Sequence, residues 1–166
     1  SPAVHRAREN VLVPIPGAKA GGQEWQYVVR KPAEDWIAPG FDSSAWRKAR
    51  GGFGSRGTPN AIIGRVWNTP EIWLRTEFEL EDPARLAGGQ WSLYHDEDVG
   101  VYLNGGKILG RSGCVTDYIE IPIDAKALGA LKTGRNVLAV YCRNTGGGQN
   151  IDLGLTLALR SSEPRK

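Results

Sequence analysis

A chain of 166 residues suits one domain, large enough to bury roughly 70% of its unfolded surface without help from a disulfide or a metal. Its net charge is +3, and its 21 Lys and Arg are scattered without the run or stripe that a phosphate backbone needs, which excludes nucleic acid as a partner. No apolar segment approaches the about 20 residues that cross a bilayer, which excludes a membrane span.

The 6 Trp, 5 Tyr and 22 Gly beside short Val/Ile/Leu alternations point to an all-β protein, because glycine weakens helices. Residues 1–10 are polar and without period, and the start at Ser1-Pro2 and the end SSEPRK read as those of a module excised from something longer. Residues 1–24 are expected to form an N-terminal arm and edge strand, 25–160 the β domain and 161–166 a polar tail. In VLVPI, Pro14 removes a ladder donor, which suits an edge strand. WQYVVR places Trp25, Tyr27 and Val29 on one face, and in FDSSAW Asp42 is positioned to cap a single helical turn. GGFGSRG has the G-x-G-x-x-G spacing, but Thr58-Pro59 follows where a dinucleotide-binding helix would open, so it reads as a loop. A long connection with Arg65 and Trp67 leads into IWLRTEFEL, where Leu74, Thr76, Phe78 and Leu80 face a core and Arg75, Glu77 and Glu79 face water.

The clearest stretch runs from Trp91 to Gly110. WSLYH alternates up to the acidic triplet Asp96-Glu97-Asp98, VGVYL alternates down to Asn104-Gly105, and KILG starts back. Asn-Gly is the pair that best tolerates the positive φ angles of a type I′ hairpin turn. GRSGCVTD is then a loop and YIEIPI a strand. Asp124 caps a short helix stopped by Gly134, and the strands NVLAVYC and DLGLTLALR flank the glycine-rich RNTGGGQNI. If consecutive strands reverse direction, the connections around residues 51–72, 96–98, 110–118 and 143–151 gather at one end of the molecule. The fold expected is an antiparallel β-sandwich with helix confined to short turns near 42–47 and 124–133.

The run W-x-Y at Trp25, FDSSAW, GGFG, VWNTPEIWLRTEF, HDEDVGVYLNG and LKTGRNVLAVYCRNTGGGQNIDLGL resembles the galactose-binding-like jelly-roll domains attached to bacterial glycoside hydrolases. It is similar to the sugar-binding domain of the beta-galactosidase and beta-glucuronidase class and to free-standing carbohydrate-binding modules. The similarity covers about residues 25–159, its most specific part being the acidic tip, the Y-L-N-G turn and G-x-N-V-L-A-V. The resemblance implies a secreted, periplasmic or cell-surface location, a poly- or oligosaccharide ligand, a parent enzyme whose catalytic domain is the partner, and a monomer. Some members bind a structural calcium, and others keep the fold and bind nothing, which leaves a spacer domain as the alternative to a carbohydrate-binding module.

Catalysis is not expected. The histidines are His5 and His95, so neither a nucleophile triad nor a histidine-based metal motif can be assembled. Adjacent carboxylates in the tip Asp96-Glu97-Asp98 point apart, unlike the facing pair of a glycosidase. No cofactor is required, though oxygen-rich loops of this kind suit calcium. Sugar recognition asks instead for an aromatic face and fixed hydrogen-bonding groups. Trp67 either provides the face or plugs the sandwich end, and Tyr118 is the second aromatic. Asp96, Asp98, Asn144, Gln149 and Asn150, flanked by His95 and Arg143, either contact hydroxyls or tie down their own loops. Trp25, Trp36, Trp46 and Trp73 are assigned to packing. Cys114 and Cys142 are brought to the same end, where they either pair or, as the favoured reading, stay free thiols with Cys142 a small buried apolar residue of its strand.

Overall fold

A computed structural model describes residues 10–161; His5, most of the N-terminal arm and the tail beyond Ser161 lie outside the described residues. The chain folds as an all-β sandwich. One sheet takes the order β10 (Ile119–Pro122), β7 (Leu86–Asp96), β12 (Asn150–Leu159), β4 (Phe53–Gly54), β5 (Arg65–Val66), with β1 (Val11–Ile15) also paired to β12. The other runs β3 (Arg47–Arg50), β2 (Glu24–Val28), β6 (Glu71–Leu80), β11 (Gly134–Arg143), β8 (Asp98–Leu103), β9 (Gly106–Arg111). Strand pairs are antiparallel except β4 with β5. The acidic tip is where the chain changes sheet, since β7 belongs to one and β8 to the other.

The period-two pattern explains the core. Ile151, Leu153, Leu155 and Leu157 of β12 and Trp91 and Leu93 of β7 face Ile72, Leu74 and Phe78 of β6, Leu138, Val140 and Cys142 of β11 and Val99, Val101 and Leu103 of β8. Each such side chain contributes about 1.5–3 kcal/mol of burial. Asn104 and Gly105 have φ of 50° and 89°, as the hairpin turn requires. Asp124 accepts from the backbone N–H of Ala127 at 2.8 Å and caps α1 (Ala125–Ala130). That helix ends before Gly134, which opens β11 with a φ of 83°.

Three expectations are corrected. Residues 42–47 hold no helix: Asp42 Oδ1 accepts from the Ser44 N–H at 2.9 Å in a local turn that runs directly into β3. The glycine-rich segment is not merely a loop, because Phe53-Gly54 pairs with the start of β12 and, in parallel, with Arg65-Val66. Arg75, expected in water, is 2% exposed. Its guanidinium donates to the carbonyls of Trp36, Ala38 and Phe41 and to Ser43 Oγ, pinning residues 36–43 over the outer face of its sheet.

Candidate functional site

Strand registers bring the expected connections to one end. Glu71, Arg143 and Asp98 stand opposite one another across β6, β11 and β8. In the facing sheet Asp96, Asn150 and Gly54 form a row across β7, β12 and β4. The loops that leave these strand ends are tied to each other. Asn144 N–H donates to Pro70 O at 2.8 Å, Ser55 N–H to Gln149 O at 2.9 Å and Val115 N–H to His95 O at 3.0 Å. Asn60 Nδ2 donates to Thr116 O at 2.8 Å.

This lacing consumes much of what sequence reasoning assigned to a ligand. Trp67 was expected as an aromatic platform or a plug, and it is a plug. Its backbone N–H bonds Gly54 O at 2.9 Å as a continuation of the β4–β5 pairing, its indole N–H donates to Thr69 Oγ1 at 2.9 Å, and it is 3% exposed within the core. No face remains for a sugar ring. His95 sits on the inward side of β7; Nε2 accepts from Arg111 Nε at 3.3 Å, so the proton lies on Nδ1, which donates to Glu97 O at 2.6 Å. Asn144 binds its own loop, Oδ1 accepting from Gly146 N–H and Nδ2 donating to Gly148 O, and Gln149 Nε2 donates to Thr69 O. These amides are buried and engaged.

Tyr118 is half-buried, with Lys19 Nζ 4.7 Å from its ring centroid and Tyr94 edge-on at 5.5 Å. Its hydroxyl donates to Asp152 Oδ2. The ring is thus occupied rather than offered. Asp152 itself was missed by sequence reasoning, since an Asp alternating with Ile151 and Leu153 reads as solvated; it is 4% exposed and also accepts from Ala18 N–H at 2.9 Å.

Four of the expected residues remain. Asp98 and Arg143 form an ion pair at 2.9 Å on the rim, with Asp98 Oδ1 also accepting from Gly113 N–H. Asp96 is half-buried, and burial, reinforced by the charge of Glu97, raises its carboxyl above the ordinary range. Asn150, its cross-strand partner, shares its face of the sheet, because the neighbouring pair Ile151 and His95 points into the core. The Asn150 amide is 0% exposed and lies so close to Gly54 that a Cβ there would stand 2.8 Å from Oδ1. Neither Nδ2 nor Oδ1 has a hydrogen-bond partner, and no other buried side-chain nitrogen or oxygen among the described residues shares that condition.

Asp98 is turned to Arg143, Glu97 to the Thr145 hydroxyl, and among the described residues no group of His, Cys, Asp or Glu gathers around one point. Cys114 is exposed, Cys142 is buried, and they are unpaired. No helix among the described residues is long and apolar enough to cross a membrane.

No family model matches the chain, and no curated protein matches it either. Solved structures with the same fold include a glycosyl hydrolase family 2 member from Bacteroides cellulosilyticus, at 17% identity and a TM-score of 0.59 over 82% of this chain and 20% of that one. A beta-glucuronidase from Bacteroides uniformis matches at 16% identity and a TM-score of 0.59, over 89% of this chain and 18% of that one. A beta-glucuronidase from Bifidobacterium dentium, complexed with coumarin-3-O-glucuronide, matches at 13% identity and a TM-score of 0.57, over 91% and 30%. The chain therefore spans a fifth to a third of these proteins.

Proposed function

We propose that this chain is a non-catalytic carbohydrate-binding module, of the jelly-roll type its motifs resemble, carried outside the cytoplasm by a glycoside hydrolase. The observation that carries the reading is the Asn150 amide. A buried polar group without a partner costs about 1–3 kcal/mol of stability, and both of its atoms lack one. An amide beside a carboxylate is the chemistry that grips a sugar hydroxyl, which accepts from Nδ2 while donating to Asp96 or to Oδ1. Thr58 Oγ1 is bonded to the Gln149 backbone, and a Cβ at Gly148 would stand 3.3 Å from Thr58 Oγ1 and 3.8 Å from Asp96 Oδ2. Because Asn150 is 0% exposed, ligand entry involves a shift of the loops around it. A fold shared with about a fifth of the length of glycoside hydrolase chains supports an accessory role.

A spacer domain without a ligand is the second reading. The observation favouring it is the loss of both expected stacking surfaces, Trp67 to the core and Tyr118 to Lys19 and Tyr94.

A glycan array with the isolated chain, followed by affinity electrophoresis of Asn150→Ala and Asp96→Asn, separates the two. A binding role has Asn150→Ala melting at or above the parent temperature while glycan affinity falls tenfold or more, because the amide burdens the fold and serves the ligand. A parent protein that binds no neutral or acidic glycan leaves the spacer reading.

A further inference from the structure

The two sheets each end in an exposed edge strand, β3 in one and β5 in the other. Between these edges lies an open groove of about 530 Å³ lined by Ala49, Arg50, Arg56, Ile63, Gly64, Arg65 and Val66. Among the described residues its charged groups are all guanidinium groups, and no carboxylate lines it. The described residues hold salt bridges at Arg135 and Arg143, and none at Arg50, Arg56 or Arg65.

The groove is built rather than incidental. The N–H groups of Gly64 and Arg65 both donate to Gly52 O, at 2.8 and 3.0 Å, which locks residues 64–65 against the β3–β4 corner. A Cβ at Gly64 would lie 2.4 Å from Arg50 O and 2.6 Å from Gly51 O, so glycine is needed for the approach. Arg50 is fixed in turn, its Nη1 donating to Gly22 O at 3.0 Å. Lys and Arg on an edge strand discourage edge-to-edge pairing, which accounts for Arg47 and Lys48. It does not account for Arg56, which lies in the turn between β4 and β5 and lines one concavity with Arg50 and Arg65 without a counter-charge among the described residues. Like charges held together repel, and a bound anion relieves that repulsion.

We propose that this groove binds a uronate-bearing, acidic polysaccharide. Guanidinium groups take carboxylates in bidentate geometry, and Ile63 and Val66, the latter 47% exposed, offer apolar contact to the C–H edge of a sugar ring. The polyanion is a glycan rather than a duplex because the groove presents neither a helix nor a projecting ribbon to enter a DNA major groove. The choice of glycan as ligand class rests on the accessory-module reading above, but the site is separate from Asn150 and Asp96.

The test is affinity electrophoresis of the full chain in gels containing polygalacturonate or neutral galactan, with duplex DNA as competitor. The parent protein is expected to be retarded by polygalacturonate and the retardation to weaken with salt. Arg56→Gln with Arg65→Gln should lower that affinity at least tenfold at an unchanged melting temperature. Lys126→Gln with Lys132→Gln, the same charge change at the other end of the molecule, should leave it unaltered. No retardation of the parent, equal losses in the two double variants, or displacement by DNA at equal charge concentration would each overturn the proposal. Asn150→Ala in the same gels separates the claims. Retention on polygalacturonate that survives Asn150→Ala and is lost with the arginines upholds the groove even where neutral glycan is not bound and the Asn150 site fails. Retention lost with Asn150→Ala and indifferent to the arginines upholds the Asn150 site and removes the groove.

Discussion

Asn104 and Asn136, 32 residues apart in the chain, bind each other at 3.0 Å through Asn104 Nδ2 and Asn136 Oδ1. Asn104 turns the β8–β9 hairpin, and its Oδ1 also accepts from Val137 N–H at 2.8 Å while its Nδ2 reaches Ala130 O. Asn136, 0% exposed, accepts from Lys132 N–H and donates to Lys132 O and Gly134 O. The pair therefore closes the end of the sandwich opposite the candidate site. It joins the hairpin, the end of α1 and the start of β11.

Asn136→Leu keeps the branched shape but orphans these backbone groups. With about 1–3 kcal/mol for each buried group left unpaired, the substitution should lower unfolding free energy by roughly 3 kcal/mol. Urea denaturation measures it. A loss below about 1 kcal/mol would mean that water reaches the network and replaces the amide.

The same pair shows what the sequence conveys. Y-L-N-G and G-x-N-V-L-A-V were its most specific motifs, and they are specific because each asparagine completes the other's turn. Strand directions were legible for a similar reason: alternation and the Asn-Gly turn are local signals, and they correctly brought the polar loops to one end. What lay beyond reach was decided by contacts distant in sequence. Strands of two residues, such as Phe53-Gly54 and Arg65-Val66, carry no period, yet their pairing turns Trp67 inward. Arg75 follows the alternation as a solvent-facing residue, but residues 36–43 fold across it and supply carbonyls. The arginine groove escaped because its members are spread over residues 50–65 and meet only when the two sheet edges are brought together.

Trp67 provides a prediction opposite to that for a stacking platform. Trp67→Ala removes a side chain 3% exposed and should reduce stability by about 3–5 kcal/mol, the range for emptying a large core position. Glycan affinity measured at a temperature where the variant is still folded should equal that of the parent. A variant as stable as the parent with weakened binding would instead make the indole a ligand contact.

Asp152 makes stability depend on pH in a definite direction. Its carboxyl is pushed above the ordinary value of 3.8 by burial, more strongly than its hydrogen bonds from Tyr118 and Ala18 N–H pull it down. Between the unfolded and folded values the folded protein holds more protons at this site than the unfolded chain. Stability from this group is therefore greatest at acid pH, falls as pH rises from about 4 through the raised value, and then levels off. Asp152→Asn stays neutral throughout and lacks the decline, whatever constant offset the altered hydrogen bonds add. Other groups, including Glu77, which its bond to Arg135 lowers, and Asp96, which burial raises, titrate in both proteins and cancel in the difference. The melting temperature of Asp152→Asn minus that of the parent should accordingly climb with pH above 4 and then flatten. A difference independent of pH would show that Asp152 carries the same charge folded and unfolded, and that the Tyr118 hydroxyl and the Ala18 N–H fully replace the water it gives up.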